Sequence, residues 1–265
     1  MNPFEKTPIA IKETAINHAV KVAAISKGYK AEDCDIKCPQ MDVEACESEM
    51  AGNVIVIKIR GCMMRDCEGW FPYLTDVEEV MEELDEADAD ANISAIILDI
   101  DSPGGTFNGS WELAQTIAGI TKPIIAFTAG CMDSAAYMVA SACDYIIAAP
   151  SASVGSIGVY VAMIDQSAAF EMAGLKTIII KSGIYKGAGM PGTSLTEDQY
   201  SYIQNQVDTM HGTFKGFVNQ FRENIPAEAM EGQDFLGFQA IELGLVDELG
   251  SFNDAVKAAQ FLSVM

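Results

Sequence analysis

Three stretches of the sequence carry residues whose type and spacing could do chemistry. Ser134 lies in Asp133-Ser134-Ala135-Ala136-Tyr137, after an apolar run at 124–127 and at the start of an Ala-rich helical pattern. A hydroxyl there faces the positive end of a helix dipole, which favours a developing alkoxide, and the small Ala135 and Ala136 leave room for a peptide backbone. The same residues also fit a plain helix cap, a role common for Asp and Ser. Ser102-Pro103-Gly104-Gly105-Thr106 follows a second apolar run at 95–100. Ligand sites gather at such strand ends, and paired glycines can turn their amides into an anion-binding nest. An oxyanion hole, a phosphate cradle and an ordinary turn all fit; a Walker loop does not, because no Gly-Lys-Ser/Thr follows.

A serine nucleophile needs a base. The sequence holds two histidines, His18 and His211, each within a helical pattern, and both read as surface or packing residues. Lysine serves instead where it is stripped of enough water to be neutral. Lys186 stands in Gly183-Ile184-Tyr185-Lys186-Gly187-Ala188-Gly189, which holds no other charge, although a solvated loop lysine would also fit. Cys34, Cys38 and Cys46 raise the question of zinc, but neither histidine is near them and no C-x-x-C pair occurs. Seven cysteines, an odd number, read as reduced thiols, with no metal site.

The elements that must position these groups alternate. Apolar, β-branched runs at 54–59, 95–100, 124–127, 145–148 and 177–180 predict strands buried on both faces of a parallel sheet. Helical patterns fall at 76–89, 110–120, 135–142, 196–224, 237–243 and 253–262. The run Glu78, Glu79, Glu82, Glu83, Glu86 reads as a solvated helix face. Strands alternating with helices imply an α/β domain over 53–265. Residues 1–52 differ: a short amphipathic helix at 14–26 precedes a polar, acidic arm at 31–52.

Composition narrows the function classes. The chain of 265 residues is 49% apolar and 20% charged, a globular balance that excludes wholesale disorder. Its formal charge of −22 repels phosphate backbones and anionic lipid, so nucleic acid and membrane surfaces are not expected partners. No apolar run approaches a membrane span and the first residues lack a secretory signal pattern, so a cytoplasmic protein is expected.

The motifs occur in one order: Ser102-Pro103-Gly104-Gly105, Asp133-Ser134-Ala135-Ala136-Tyr137, Val154-Gly155-Ser156-Ile157-Gly158-Val159, Ser182-Gly183-Ile184-Tyr185-Lys186, and Gly237 through Asp247. Over residues 54–260 this order resembles peptidase family S49, the signal peptide peptidase A group with its phage prohead-protease branch. The resemblance implies the ClpP/crotonase fold of repeated β-β-α units and a serine endopeptidase without a cofactor. By match to the motifs, Ser134 is the nucleophile, Lys186 the general base and acid, and Ser156 the group that orients the lysine. The backbone N–H groups of Gly104, Gly105 and Ala135 then form the oxyanion hole.

Ala135-Ala136 departs from the Gly-Gly of many signal peptide peptidases and is closer to the phage form, and no anchor is seen. The expected role is therefore a phage or prophage capsid-maturation protease acting on polypeptide, such as capsid or scaffold protein, in host cytoplasm or prohead. The alternatives are a cellular peptidase of the signal peptide peptidase A type, an inactive assembly protein, and a crotonase-type acyl-CoA enzyme, which would need neither Lys186 nor Ser156. The resemblance also implies a homo-oligomer, in some members with sites completed by neighbouring subunits. The polar arm is expected to be trimmed by the protein itself.

Overall fold

The computed structural model describes residues 9–11, 49–67 and 74–264. In chain order the strands are β1 (Ile9–Ile11), β2 (Glu49–Ala51), β3 (Val54–Arg60), β4 (Cys62–Met64) and β5 (Leu74–Asp76), followed by helix α1 (Val77–Ala89). Three further units follow. β6 (Ala95–Asp101) and β7 (Gly104–Thr106) lead to α2 (Phe107–Gly119); β8 (Ile124–Thr128) and β9 (Cys131–Asp133) lead to α3 (Ala135–Ser141). β10 (Tyr145–Ala148) and β11 (Ser153–Gly155) lead to α4 (Ser167–Met172) and the long α5 (Glu197–Phe221). The chain closes with β12 (Asp234–Leu236), α6 (Gly237–Ala240), β13 (Glu248–Leu249) and α7 (Phe252–Leu262). These are the expected β-β-α units.

The first strand of each unit enters one six-stranded sheet of order β13-β10-β8-β6-β3-β2, parallel except for β2. Apolar side chains on both faces of β6 explain its unbroken apolar run: Ile96, Leu98 and Ile100 join the main core beneath α1, α2 and α3, while Ala95 and Ile97 join a second core. There α7 packs its small Ala255 and Ala259 against the sheet. The second strand of each unit is three residues long and enters one of two small sheets, β1-β7-β4-β5 and β12-β11-β9. A bridge between Ser102 and Met132 ties these small strands together at the carboxyl end of the large sheet. The reason is geometric: each long strand ends, turns over one to four residues, and restarts as a short strand.

Two expectations change. The polar arm was expected to run to Gly52 without structure, yet Glu49–Ala51 pairs antiparallel with Val54–Val56 across a turn in which Gly52 has φ of 73°. The run at 177–180 was expected to be a buried strand, but it is not one. No strand pairs with it among the described residues, and Ile178 and Ile180 are 77% and 98% exposed. The helix expected at 14–26, most of the arm, His18, and Cys34, Cys38 and Cys46 lie outside the described residues. The glutamate run of α1 is solvated as expected, with Glu78 paired to Arg65 and Glu79, Glu82 and Glu86 exposed.

Candidate active site

Ser134 is the hinge between β9 and α3. Its backbone has φ of 56° and ψ of −124°, a conformation that costs a non-glycine residue of order 1–3 kcal/mol. The surroundings hold it there. Its N–H donates to the carbonyl of Gly155 at 2.7 Å, and its carbonyl accepts from Met138 at 3.0 Å. The residue is 2% exposed. A serine forced into a sharp strand-to-helix turn is the arrangement that presents a nucleophilic hydroxyl above a sheet. The N–H groups of the first residues of α3, Ala135 among them, have no acceptor within the helix.

Gly104 meets Ser134 face to face. Gly104 has φ of 100°, and a Cβ added there would lie 2.8 Å from Ser134 Cβ and 2.9 Å from Ala135 N. Only glycine fits such an approach. Ser102, fully buried, fixes the turn: its hydroxyl donates to the Gly61 carbonyl at 2.6 Å and accepts from the N–H of Gly104 at 3.1 Å. The Gly104 amide is thus engaged by a side chain, Gly105 lies within β7 between β1 and β4, and Ala135 stands in the first turn of α3. Gly105 itself presses on Met63, where an added Cβ would lie 1.9 Å from the carbonyl oxygen.

Ser156 reaches the same place by a parallel route. β9 and β11 run parallel with Asp133 opposite Gly155, so Ser134 and Ser156 leave their strands side by side. Ser156 too has a positive φ, of 52°, and its N–H donates to Gln233 at 2.7 Å. The half-buried His211 places Nε2 2.8 Å from the Met230 carbonyl and 3.2 Å from that of Ile157, pinning the residue after Ser156. The packing role expected for His211 is what is found.

Lys186 is elsewhere. It is exposed, in a turn closed by its own N–H to Gly183 at 3.2 Å, and among the described residues no hydrogen bond joins it to Ser134. The neighbouring Tyr185 stacks on Tyr202 of α5 at 4.8 Å. The structure therefore brings Ser134, Ser156, Gly104, Gly105 and Ala135 together, and among the described residues no hydrogen bond ties Lys186 to them.

Sequence reasoning missed a cluster beneath the nucleophile. Buried Asp133 receives the thiol of Cys131 at 2.8 Å, and Ser153 Oγ lies 3.0 Å from Asp133 Oδ2 and 3.1 Å from Asp234 Oδ2. Asp133 is thus a brace for β9, not a cap on α3, and only its adjacence to Ser134 could have signalled it. Asp247, in the last motif, is also structural: it takes a bidentate ion pair from Arg222, both bonds at 2.8 Å, locking the end of α5 to the core. Tyr137 donates to the Leu245 carbonyl at 2.9 Å, and burial pushes its phenol well above the usual tyrosine range. A cavity of about 260 Å³ lined by Ile117, Lys122, Cys143 and Arg222 sits at the opposite end of the strands and holds none of these site residues.

Among the described cysteines of the domain, Cys62, Cys67 and Cys143 are free thiols. Among the described residues no group of His, Cys, Asp and Glu is placed to hold a metal, and no helix is long and apolar enough to cross a membrane.

Comparison with known proteins bears on family and fold. The model of peptidase family S49 matches residues 117–264, and the Clp protease model matches residues 74–157. A protein of Methanocaldococcus jannaschii provisionally named a protease is 30% identical over 202 residues, covering 74% of this chain and 65% of its own length. The capsid assembly protease C of Escherichia phage lambda is 28% identical over 220 residues, 80% of this chain and 50% of that one. A protein of Enterococcus faecium provisionally named signal peptide peptidase SppA is 30% identical over 190 residues, 69% of this chain and 53% of its own. The chain thus spans roughly half to two thirds of the length of these relatives. A solved structure from Magnetospirillum magneticum, provisionally titled an enoyl-CoA hydratase/carnithine racemase, superposes with a TM-score of 0.50 at 15% identity, covering 83% of this chain and 76% of that one. That likeness concerns the fold, which is of the ClpP/crotonase class.

Proposed function

Because the chain belongs to peptidase family S49, we propose that it is a serine endopeptidase in which Ser134 attacks the scissile carbonyl of a polypeptide. The observation that carries the reading is the buried, positive-φ Ser134 at the start of α3, abutted by Gly104. The Ala135 amide, with that of Gly105, stabilises the tetrahedral oxyanion; one such donor is worth about 10²–10³ in rate. Lys186 takes the serine proton and returns it to the leaving amine, and the Ser156 hydroxyl holds the lysine amine in place. The exposed position of Lys186 in a single chain means that this step requires the segment carrying it to be covered. A covering surface is available in a second copy of the chain: Met163, Ile164, Met172, Leu175, Ile178 and Ile180 are exposed over the same stretch, an apolar patch of the kind that marks an interface. We take the working form to be a homo-oligomer.

For the physiological role, the relative from phage lambda, named a capsid assembly protease, aligns with 80% of this chain and supports capsid maturation. Degradation of peptides in a cell is the second reading, supported by the Enterococcus relative named as a signal peptide peptidase. The test of the chemistry is a fluorophosphonate probe and a casein digest on wild type and Ser134→Ala. Labelling and hydrolysis that both vanish with Ser134 support the reading; an unlabelled wild type, or an active Ser134→Ala, refutes it. Cleavage of a phage capsid or scaffold protein, as against cleavage of signal peptides, decides between the two roles.

A further inference from the structure

The small sheet that carries Gly104 has an occupant on its outer side. β1 pairs antiparallel with β7, with Ile9 opposite Thr106, Ala10 opposite Gly105 and Ile11 opposite Gly104. On its other side β7 is held by β4, through Met63 and Gly105. Among the described residues, β1 therefore lies on the edge of β7 opposite β4.

That edge borders the nucleophile, because Gly104 is the residue that touches Ser134 and Ala135. An extended peptide recognised by strand addition uses its main-chain groups for affinity and an open sheet edge as its template. Antiparallel pairing also fixes direction. The chain runs from Ile9 beside Thr106 to Ile11 beside Gly104, so it approaches Ser134 from its N-terminal side. This is the direction in which the acyl portion of a peptide must arrive to present its carbonyl to Ser134.

We propose that Ile9–Ile11 occupies the substrate-binding edge of β7 as a built-in competitor, so that a peptide substrate binds only when this segment leaves. The proposal rests on the reading of Ser134 as the nucleophile. Its physical content is population: apparent affinity falls by the fraction of time for which the edge is free. A segment tethered to the same chain holds the edge at high effective concentration even if its three-residue pairing is weak.

The test keeps the full-length chain and removes only the ladder. In the variant Ile9→Pro/Ala10→Pro/Ile11→Pro no backbone N–H remains to pair with β7. If the segment is seated nine-tenths of the time, KM for a fluorogenic peptide falls about tenfold while kcat is unchanged. A second readout is independent of catalysis. A labelled peptide Thr-Pro-Ile-Ala-Ile-Lys-Glu-Thr, the sequence of residues 7–14, should bind Ser134→Ala carrying the proline triplet more tightly than Ser134→Ala alone, by the same factor. Equal affinities overturn the proposal. A difference in affinity with no hydrolysis by any variant leaves edge occupancy standing and refutes the peptidase reading instead. Should the proline triplet fail to fold, Ile9→Gly/Ile11→Gly weakens the strand and should move affinity in the same direction by less; no shift there overturns the proposal.

Discussion

The two residues proposed to share one proton sit in very different parts of the molecule. Ser134 lies within the stack of β-β-α units, nearly solvent-free, its backbone bonded to Gly155 and Met138 and its face closed by Gly104. Lys186 lies in the stretch between β11 and α5, where few residues are buried and isoleucines point to solvent. Of the proposed pair, one member is held by packing within a single chain and the other is exposed. The difference shows where strain can be stored: an unfavourable φ persists at Ser134 because surrounding packing over-determines it. The lysine segment has no such packing and must borrow it.

The largest expected effect tests that borrowing. Lys186→Ala should be as inactive as Ser134→Ala, and the double variant no worse, because residues acting as a unit do not add. Lys186→Arg should fail too, since a guanidinium does not give up its proton. Mixing Ser134→Ala with Lys186→Ala protein under conditions of subunit exchange should restore part of the hydrolysis of a fluorogenic peptide if the lysine serves a neighbour. Mixed oligomers that stay inactive would place both partners in one chain and dissolve the contrast.

Next comes the wall of the prebuilt half. Gly104→Ala adds a methyl where 2.8–2.9 Å separates it from Ser134 Cβ, Ala135 N and Asp133 O, at a φ of 100°. The backbone must shift by enough to misplace the oxyanion donors, so kcat/KM should fall by about 10²–10³. The melting temperature should drop as well, by an amount matching about 1–3 kcal/mol of strain. Normal activity in this variant would mean that the approach of Gly104 to Ser134 is incidental.

How much of this contrast the sequence carried depends on length scale. The strands of the large sheet were legible because burial on both faces leaves unbroken apolar runs, as in Ile96, Ile97 and Leu98. The three-residue strands were not, since Cys131–Asp133 and Ser153–Gly155 are too short for any periodicity. Residues 177–180 carry the same signal as the buried strands. A β-branched run reports that a surface wants covering, and says nothing about which chain covers it. The candidate site was legible as five ordered motifs, yet the bracing of Ser134 by Asp133, Ser153 and Gly155 arises from register between strands distant in sequence. The last motif shows the reverse: Asp247 stands out in the sequence, and its carboxylate holds Arg222 and the N–H of Ile146.

A smaller effect separates the residue between the two halves. Ser156 stands beside Ser134 through strand register, while its proposed partner is Lys186. Ser156→Ala should lower kcat by about 10–100-fold, the worth of roughly 1–3 kcal/mol for one hydrogen bond to a charged or reacting amine. Stability should hardly change, because its backbone bond to Gln233 remains. A loss equal to that of the Lys186 variants would make Ser156 part of the proton path.

The smallest expected effect on folding, and the sharpest on assembly, is at Ile180. Its side chain is 98% exposed in the single chain, so Ile180→Ser removes no contact that folding depends on and the melting temperature at low protein concentration should stay within about ±0.5 kcal/mol equivalent. If the isoleucine is buried between copies, the same change removes apolar area worth about 1.5–3 kcal/mol per side chain from the interface. A symmetric contact repeats that loss in every subunit. Sedimentation should then show dissociation at concentrations where wild type stays assembled, and peptide hydrolysis should fall in parallel and recover as protein concentration rises. Dissociation without loss of activity would free Lys186 from any dependence on a neighbour. An unchanged assembly would move the cover to some other surface, and the exposed isoleucines between β11 and α5 would then need a different partner.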